Sequence, residues 1–218
     1  MNKEFWLRKW TDGDTGFHEP EPNPQLRHLR TLILAKGCRV FVPLCGKSVD
    51  IGWLLSNGYR VAGAEFSELA VEELFWQLSL VPDVSGTAEM RHYHANNIDI
   101  FVGDVFDVSR EMLGPVDAVY DRAALVALPD DTRQRYADHV ARITGTAPQL
   151  LITFVYDQSL MDGPPFSIGG DEVQRRYGAD YELVLAESSE IPGGLKTISS
   201  ARTEVWLLRN RQRMVGVG

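Results

Sequence analysis

The chain has 218 residues, 44% hydrophobic and 24% charged, which is enough to bury a real core and too apolar for a disordered segment. Its net charge of −8, with no Lys/Arg run longer than two residues, as at Arg175-Arg176, lacks the basic stripe of a nucleic-acid binder and suits a small-molecule partner. No apolar stretch reaches the roughly 18 residues of a bilayer span, and the charged opening MNKEFWLRKWTDGD is no secretory leader, so no membrane partner and a cytoplasmic setting are expected.

A short amphipathic helix is expected over residues 4–10, followed by the proline-rich hinge HEPEPNP at 18–24. The hinge divides an N-terminal arm, 1–24, from one main domain, 25–218. Leu26, Leu29, Ile33 and Leu34 then fall at helical spacing and stop at Gly37. From there strands and helices alternate. Strands are expected at 39–44, 60–66, 97–105, 116–121 and 149–157, and helices at 48–58, 67–80, 131–143 and 171–178. An edge strand fits 90–95, and two final strands, 181–188 and 201–210, have no helix between them. Such alternation predicts an α/β fold with a mostly parallel sheet, helices on both faces and an antiparallel strand at or near the edge. Ligands of such sheets sit beyond the carboxyl ends of the strands, here at 43–48, 65–67, 103–105, 120–125 and 156–168.

Cys38 and Cys45 match neither a disulfide framework nor a zinc pattern and read as packing or turn residues. His92 and His94 alternate on one strand face with no companion at metal-ligand spacing, so no metal site is expected.

The stretch VFVPLCGKSV ends in Gly46-Lys47-Ser48, as a phosphate-binding loop would. Yet the position five residues before Gly46 is Phe41, inside the strand, so the glycine that lets such a loop curl is missing. G-x-G-x-x-G is also absent. The second strand nevertheless ends in Glu65, about where a ribose-binding carboxylate is expected; the alternative is a cap for the next helix. A nucleoside ligand without a phosphate grip points to S-adenosyl-L-methionine. Asp104, at the end of the third strand, can receive the adenine amino group with Val105 and Phe106 against its face, or simply cap a turn.

The blocks FWLRKWTDGDTGFHE, VFVPLCGKSVDIGWL, VAGAEFSELAV, YDRAALVALP and YDQSLMDGPPFSI resemble, in order and spacing, the signature blocks of the thiopurine S-methyltransferases. The resemblance runs from about residue 5 to the strand near 205–208. It implies a Rossmann-like class I S-adenosylmethionine-dependent methyltransferase with a seven-stranded sheet, its site covered by the N-terminal arm. It further implies that Trp10 packs beside the cofactor, that Leu44 contacts it and that Glu65 holds the ribose. Arg122 would lie at the junction of cofactor and substrate, with Phe17 and His18 on the substrate side. Many bacterial relatives carry an arginine just before a GLK; here Gly193 stands in that position, leaving Lys196.

The expected reaction is in-line methyl transfer to an aromatic or heterocyclic thiol such as 6-mercaptopurine. Alignment and desolvation carry much of such a rate, and a partly ionised thiol needs no strong base. Arg122 would act catalytically by stabilising the thiolate, and His18 would take a proton by way of water. Enzymes that methylate exocyclic nitrogens of bases typically carry [DNS]-P-P-[YF] after the fourth strand, where this chain has DRAAL; GPPF comes after the fifth strand and reads as a rigid lid turn. The alternatives are methylation of selenium or tellurium compounds or another small nucleophile, and, more distantly, a non-catalytic nucleoside-binding regulator. A monomer suffices for each.

Overall fold

The computed structural model describes residues 3–14 and 19–211, and the chain forms two compact units, Met1–Ala118 and Val119–Gly218.

In the first unit, α1 (Lys3–Thr11) turns Trp10 inward. α2 (Pro24–Leu29) starts at Asn23, whose side chain accepts the Leu26 N–H at 3.1 Å, with proline at the first helical position. The helix expected to run to Gly37 stops early and tightens into a 3-10 segment at Arg30–Leu32. The β-branched Thr31 and Ile33 weaken a regular helix there, and the tighter turn satisfies its last carbonyls. Next come β1 (Arg39–Pro43), α3 (Val49–Ser56), β2 (Arg60–Glu65), α4 (Glu68–Gln77), β3 (Asp83–Gly86), β4 (Arg91–Ala95), β5 (Ile98–Val102) and the one-turn α5 (Arg110–Leu113).

The strands of this unit lie in the order β3-β4-β5-β2-β1. β1, β2 and β5 run parallel, and β4 and β3 extend them antiparallel. The parallel strands bury both faces: Val40, Phe41 and Val42 on β1, Val61, Ala62 and Ala64 on β2, Ile98, Ile100 and Phe101 on β5. Ile51 and Leu54 of α3 and Val71, Leu74 and Phe75 of α4 complete this core. Each large side chain so buried contributes about 1.5–3 kcal/mol.

The second unit carries β6 (Ala118–Arg122) from Val119 onward, then α6 (Asp130–Thr144), β7 (Gln149–Val155), α7 (Gly170–Tyr177), β8 (Tyr181–Glu190) and β9 (Arg202–Asn210). β6 and β7 are parallel, and β9 lies antiparallel between β7 and β8, which is the antiparallel strand expected near the edge. α6 ends at Gly145 in the left-handed conformation, φ 63°, which glycine adopts without a Cβ penalty. Tyr156, Ile198 and Ala201 form a satellite cluster joined by Phe154, Met161, Ile191 and Leu195.

Of the nine strands among the described residues, β4 is the anticipated edge strand and β3 was not anticipated. β3 reads DVSG and is exposed throughout, so it has no apolar alternation to betray it; its ladder to β4 defines it. No helix among the described residues is long and apolar enough to cross a membrane.

Candidate cofactor site

The site grows from the turn after β1. Leu44 takes φ 48°, an uncommon conformation for a residue with a Cβ, and Gly46 follows at φ 51°. These two left-handed residues turn the chain from the strand into α3, whose N-cap is Ser48: its hydroxyl accepts the Asp50 N–H at 3.3 Å. The Asp50 carboxylate in turn accepts the Asn23 N–H at 2.7 Å, anchoring the segment that follows the proline hinge.

Glu65, the last residue of β2, is buried. Its Oε2 accepts the Gly46 N–H at 2.8 Å and its Oε1 accepts the Ser67 N–H at 2.8 Å. One carboxylate therefore fastens the turn after β1 to the start of α4. Burial pushes its pKa up, and the N–H groups of Ser67, Gly46 and Phe66 oppose that rise. Both alternatives drawn from the sequence bear on this residue. It does secure the start of the next helix, and each oxygen has a second lone-pair direction with which to accept a ribose hydroxyl.

This geometry answers the GKS question. In a phosphate-binding loop the glycine amide points at the anion; here it is donated to a carboxylate, which would repel one. Lys47 is committed as well: its ammonium pairs with Glu73 and lies 5.7 Å from the centre of the Trp10 ring. Trp10 itself is 7% exposed and presses on the turn, since a Cβ added at Gly46 would lie 2.8 Å from its Cζ2. Glycine is required there for space as well as for φ.

The Gly103 N–H donates to the Glu65 carbonyl at 2.9 Å, so the segment after β5 starts beside the end of β2. Asp104 caps the turn that follows, its Oδ1 accepting the Phe106 N–H at 3.0 Å. Its turn-capping role is thus real, and the second oxygen has further accepting capacity. Val105 is only 1% exposed and packs into the core, whereas Phe106 is partly exposed. Trp10, Leu44, Glu65, Asp104 and Val105 all belong to the first unit. Arg122 ends β6 in the second and is half-buried. Phe17 and His18 lie outside the described residues.

In the second unit the residue before Arg122, Asp121, is buried, with its Oδ2 accepting the Tyr136 hydroxyl at 2.7 Å and its Oδ1 the Leu125 N–H at 3.1 Å. Burial raises its pKa to about 6, against the hydrogen bonds from Tyr136, Leu125 and Ala124. It holds the turn in which Ala123 adopts φ 66°. The GPPF segment, expected to be rigid, is tied at three residues. Pro164 O accepts from the Lys196 ammonium at 2.7 Å, Pro165 O from the Tyr156 hydroxyl at 2.6 Å, and the Phe166 N–H donates to Val126 O at 2.7 Å. The Arg133 guanidinium lies 4.9 Å from the centre of the Phe166 ring. Gly193, at φ 80°, faces open space.

Two things escaped the sequence reading. The Gly46 amide is Glu65's donor, and His92 and His94 do have a carboxylate companion: both meet Asp99 Oδ1, at 2.8 and 2.9 Å. The signal for the second was the two-residue Asn96-Asn97 turn, which sets His94 opposite Asp99.

The family model described as "Thiopurine S-methyltransferase" matches residues 1–211. A thiopurine S-methyltransferase of Xanthobacter autotrophicus is 52% identical over 210 residues, covering 95% of this chain and 99% of its own. One from Gluconobacter oxydans is 47% identical over 206 residues, with 94% of each chain covered. Among solved structures, a Burkholderia thailandensis 1,6-didemethyltoxoflavin-N1-methyltransferase with bound S-adenosylhomocysteine has a TM-score of 0.64 at 13% identity, covering 95% of this chain and 87% of its own. At that identity the likeness speaks to the fold, a class I methyltransferase.

Proposed function

Because the chain belongs to the thiopurine S-methyltransferase family, we propose that it methylates the sulfur of an aromatic or heterocyclic thiol such as 6-mercaptopurine. Enzymes of this family are methyltransferases that use S-adenosylmethionine. When bound, that cofactor supplies an electrophilic methyl on a sulfonium, whose departure leaves a neutral thioether.

The observation that carries the reading is the Glu65 carboxylate, buried and pinned by backbone amides of Gly46 and Ser67 beside a turn with no free phosphate grip. In the proposed complex Glu65 accepts the ribose hydroxyls, Leu44 and Trp10 pack against the cofactor, and Asp104 and Val105 meet the adenine. The press of Trp10 on the Gly46 turn supports the division into an arm, 1–24, that covers the site and a methyltransferase domain, 25–218. Because the donor pocket is already held by hydrogen bonds within the chain, ordering it on binding costs little.

On the acceptor side, Arg122 stabilises the thiolate, Phe17 contacts the ring and His18 takes any remaining proton through water. These roles rest on the family's sequence blocks. The test is transfer of labelled methyl to 6-mercaptopurine, with 6-hydroxypurine and selenite as parallel acceptors. Transfer to the thiol but not the hydroxyl is expected. No transfer to any of them, with S-adenosylhomocysteine binding intact, would overturn the substrate assignment. Full activity of Arg122→Ala with unchanged cofactor affinity would remove that residue's role.

A further inference from the structure

We propose that His92 Nε2, His94 Nδ1 and Asp99 Oδ1 form a binding site for one divalent transition-metal ion of the zinc(II) or copper(II) type on the β4–β5 hairpin. The three donor atoms lie within 4.8 Å of one another. His92 and His94 are two apart on β4 and share a face, and Asp99 is the cross-strand partner of His94 on β5. The donors are thus set by strand register, on a scaffold that is rigid compared with a loop.

The arrangement around them is that of a supported ligand set. Asp99 Oδ2 is taken by the Arg39 guanidinium at 2.8 Å, which orients the carboxylate and leaves Oδ1 as a single ligating atom. Arg39 is itself fixed by the carbonyls of Leu113 and Pro115. The His92 ring stacks on Phe101, centroids 4.8 Å apart and planes 14° apart, which fixes its plane. His94 has a side-chain exposure of 53% and Asp99 of 21%, so an ion can enter from solvent and keep water in its remaining positions.

The geometry needs little change. Zinc bonds of about 2.0–2.2 Å place tetrahedral donors about 3.3 Å apart, so the present contacts at 2.8 and 2.9 Å would open by about half an ångström. Without an ion, both imidazole N–H groups converge on one oxygen. With one, each proton moves to the other ring nitrogen, and the freed lone pairs and Oδ1 ligate. Two imidazoles and one carboxylate suit zinc(II) or copper(II); magnesium and calcium want oxygen ligands throughout.

The test is calorimetric titration of the full chain, stripped with a chelator, with zinc sulfate. One ion per chain is expected, together with a zinc-dependent rise in Tm. His94→Ala should weaken binding at least about tenfold, and the His92→Ala/His94→Ala pair should abolish both the heat and the Tm shift. Copper(II) electron paramagnetic resonance should show coupling to two imidazole nitrogens, and magnesium chloride should give no heat. An unchanged zinc-free Tm and unchanged S-adenosylhomocysteine affinity would show that the variants are folded. No heat with the wild-type chain, or equal heat with the double variant, would overturn the site.

Discussion

Glu65 and Asp121 present the same cue in sequence, an acid at the carboxyl end of a parallel strand, and burial raises the pKa of both. They differ in what holds them. Glu65 is held by backbone amides from two turns. Asp121 is held by a buried tyrosine hydroxyl and the amide of its own turn. Tyr136 and Asp121 pair inside the fold, whereas among the described residues Glu65 accepts from backbone amides alone, and in the proposed complex its remaining lone pairs meet the ribose. A strand-end acid is therefore no ligand signal by itself. In the proposed complex the donors mark the difference: backbone amides hold the carboxylate that binds, and a buried tyrosine holds the one that does not.

Removing Glu65 tests that distinction most severely. On the proposed reading Glu65→Ala loses the acceptor for ribose, and two charge-assisted hydrogen bonds at about 1.5–3 kcal/mol each correspond to a loss of about 150- to 25,000-fold in S-adenosylhomocysteine affinity. Calorimetry on a variant shown to be folded measures it. An affinity within threefold of wild type would mean that Glu65, like Asp121, is structural.

Gly46 sharpens the same side of the comparison. Gly46→Ala meets two obstacles, a left-handed φ of 51° and the Trp10 ring 2.8 Å from the new Cβ. The first costs about 1–2 kcal/mol and overpacking adds about 1–3 kcal/mol. Adding Trp10→Ala should recover the second part and leave the first, which denaturant titration of the four proteins in the cycle can resolve. Full recovery would show that the φ requirement is not real.

Asp121 makes the opposite prediction, in pH. Its folded carboxyl binds its proton more tightly than the unfolded one, so the stability it contributes is fully present below the unfolded value near pH 4. That contribution is lost as pH rises through about 6. Between those values wild type should lose on the order of 2 kcal/mol that Asp121→Asn, which cannot titrate, keeps constant. Parallel slopes for the two proteins from pH 4 to 6 would remove Asp121 as the cause.

How much of this was readable in advance follows from range along the chain. Strand–helix alternation and the acid at Glu65 are local, and each is where the sequence put it. The amide of Gly46 reaching Glu65 spans nineteen residues, and Arg39 reaching Asp99 spans sixty. Neither is encoded in spacing; both appear only when strands take their neighbours. Asp99 and His94 are the intermediate case, five residues apart and recoverable from a tight turn. β3 failed for another reason: a fully exposed four-residue strand leaves no hydrophobic trace.

The smallest effect is expected at Leu44, where strain and binding can be separated. At φ 48° a side chain is disfavoured by about 1–2 kcal/mol, which Leu44→Gly relieves, while glycine's extra unfolded-state entropy returns about 0.5–1 kcal/mol of that. The half-buried side chain gives up some packing too, so net stability should move by less than about 1 kcal/mol. On the proposed reading, cofactor affinity should nonetheless fall about three- to tenfold, because Leu44 then no longer offers the ligand an apolar wall. Strained residues persist where the surrounding structure over-determines them, and here the Cys45 N–H, bound to Ala64 O at 3.0 Å, holds the next residue in register. If stability falls by several kcal/mol while affinity holds, Leu44 is a packing residue and the strain serves the fold. If affinity falls alone, the turn is bent for the ligand.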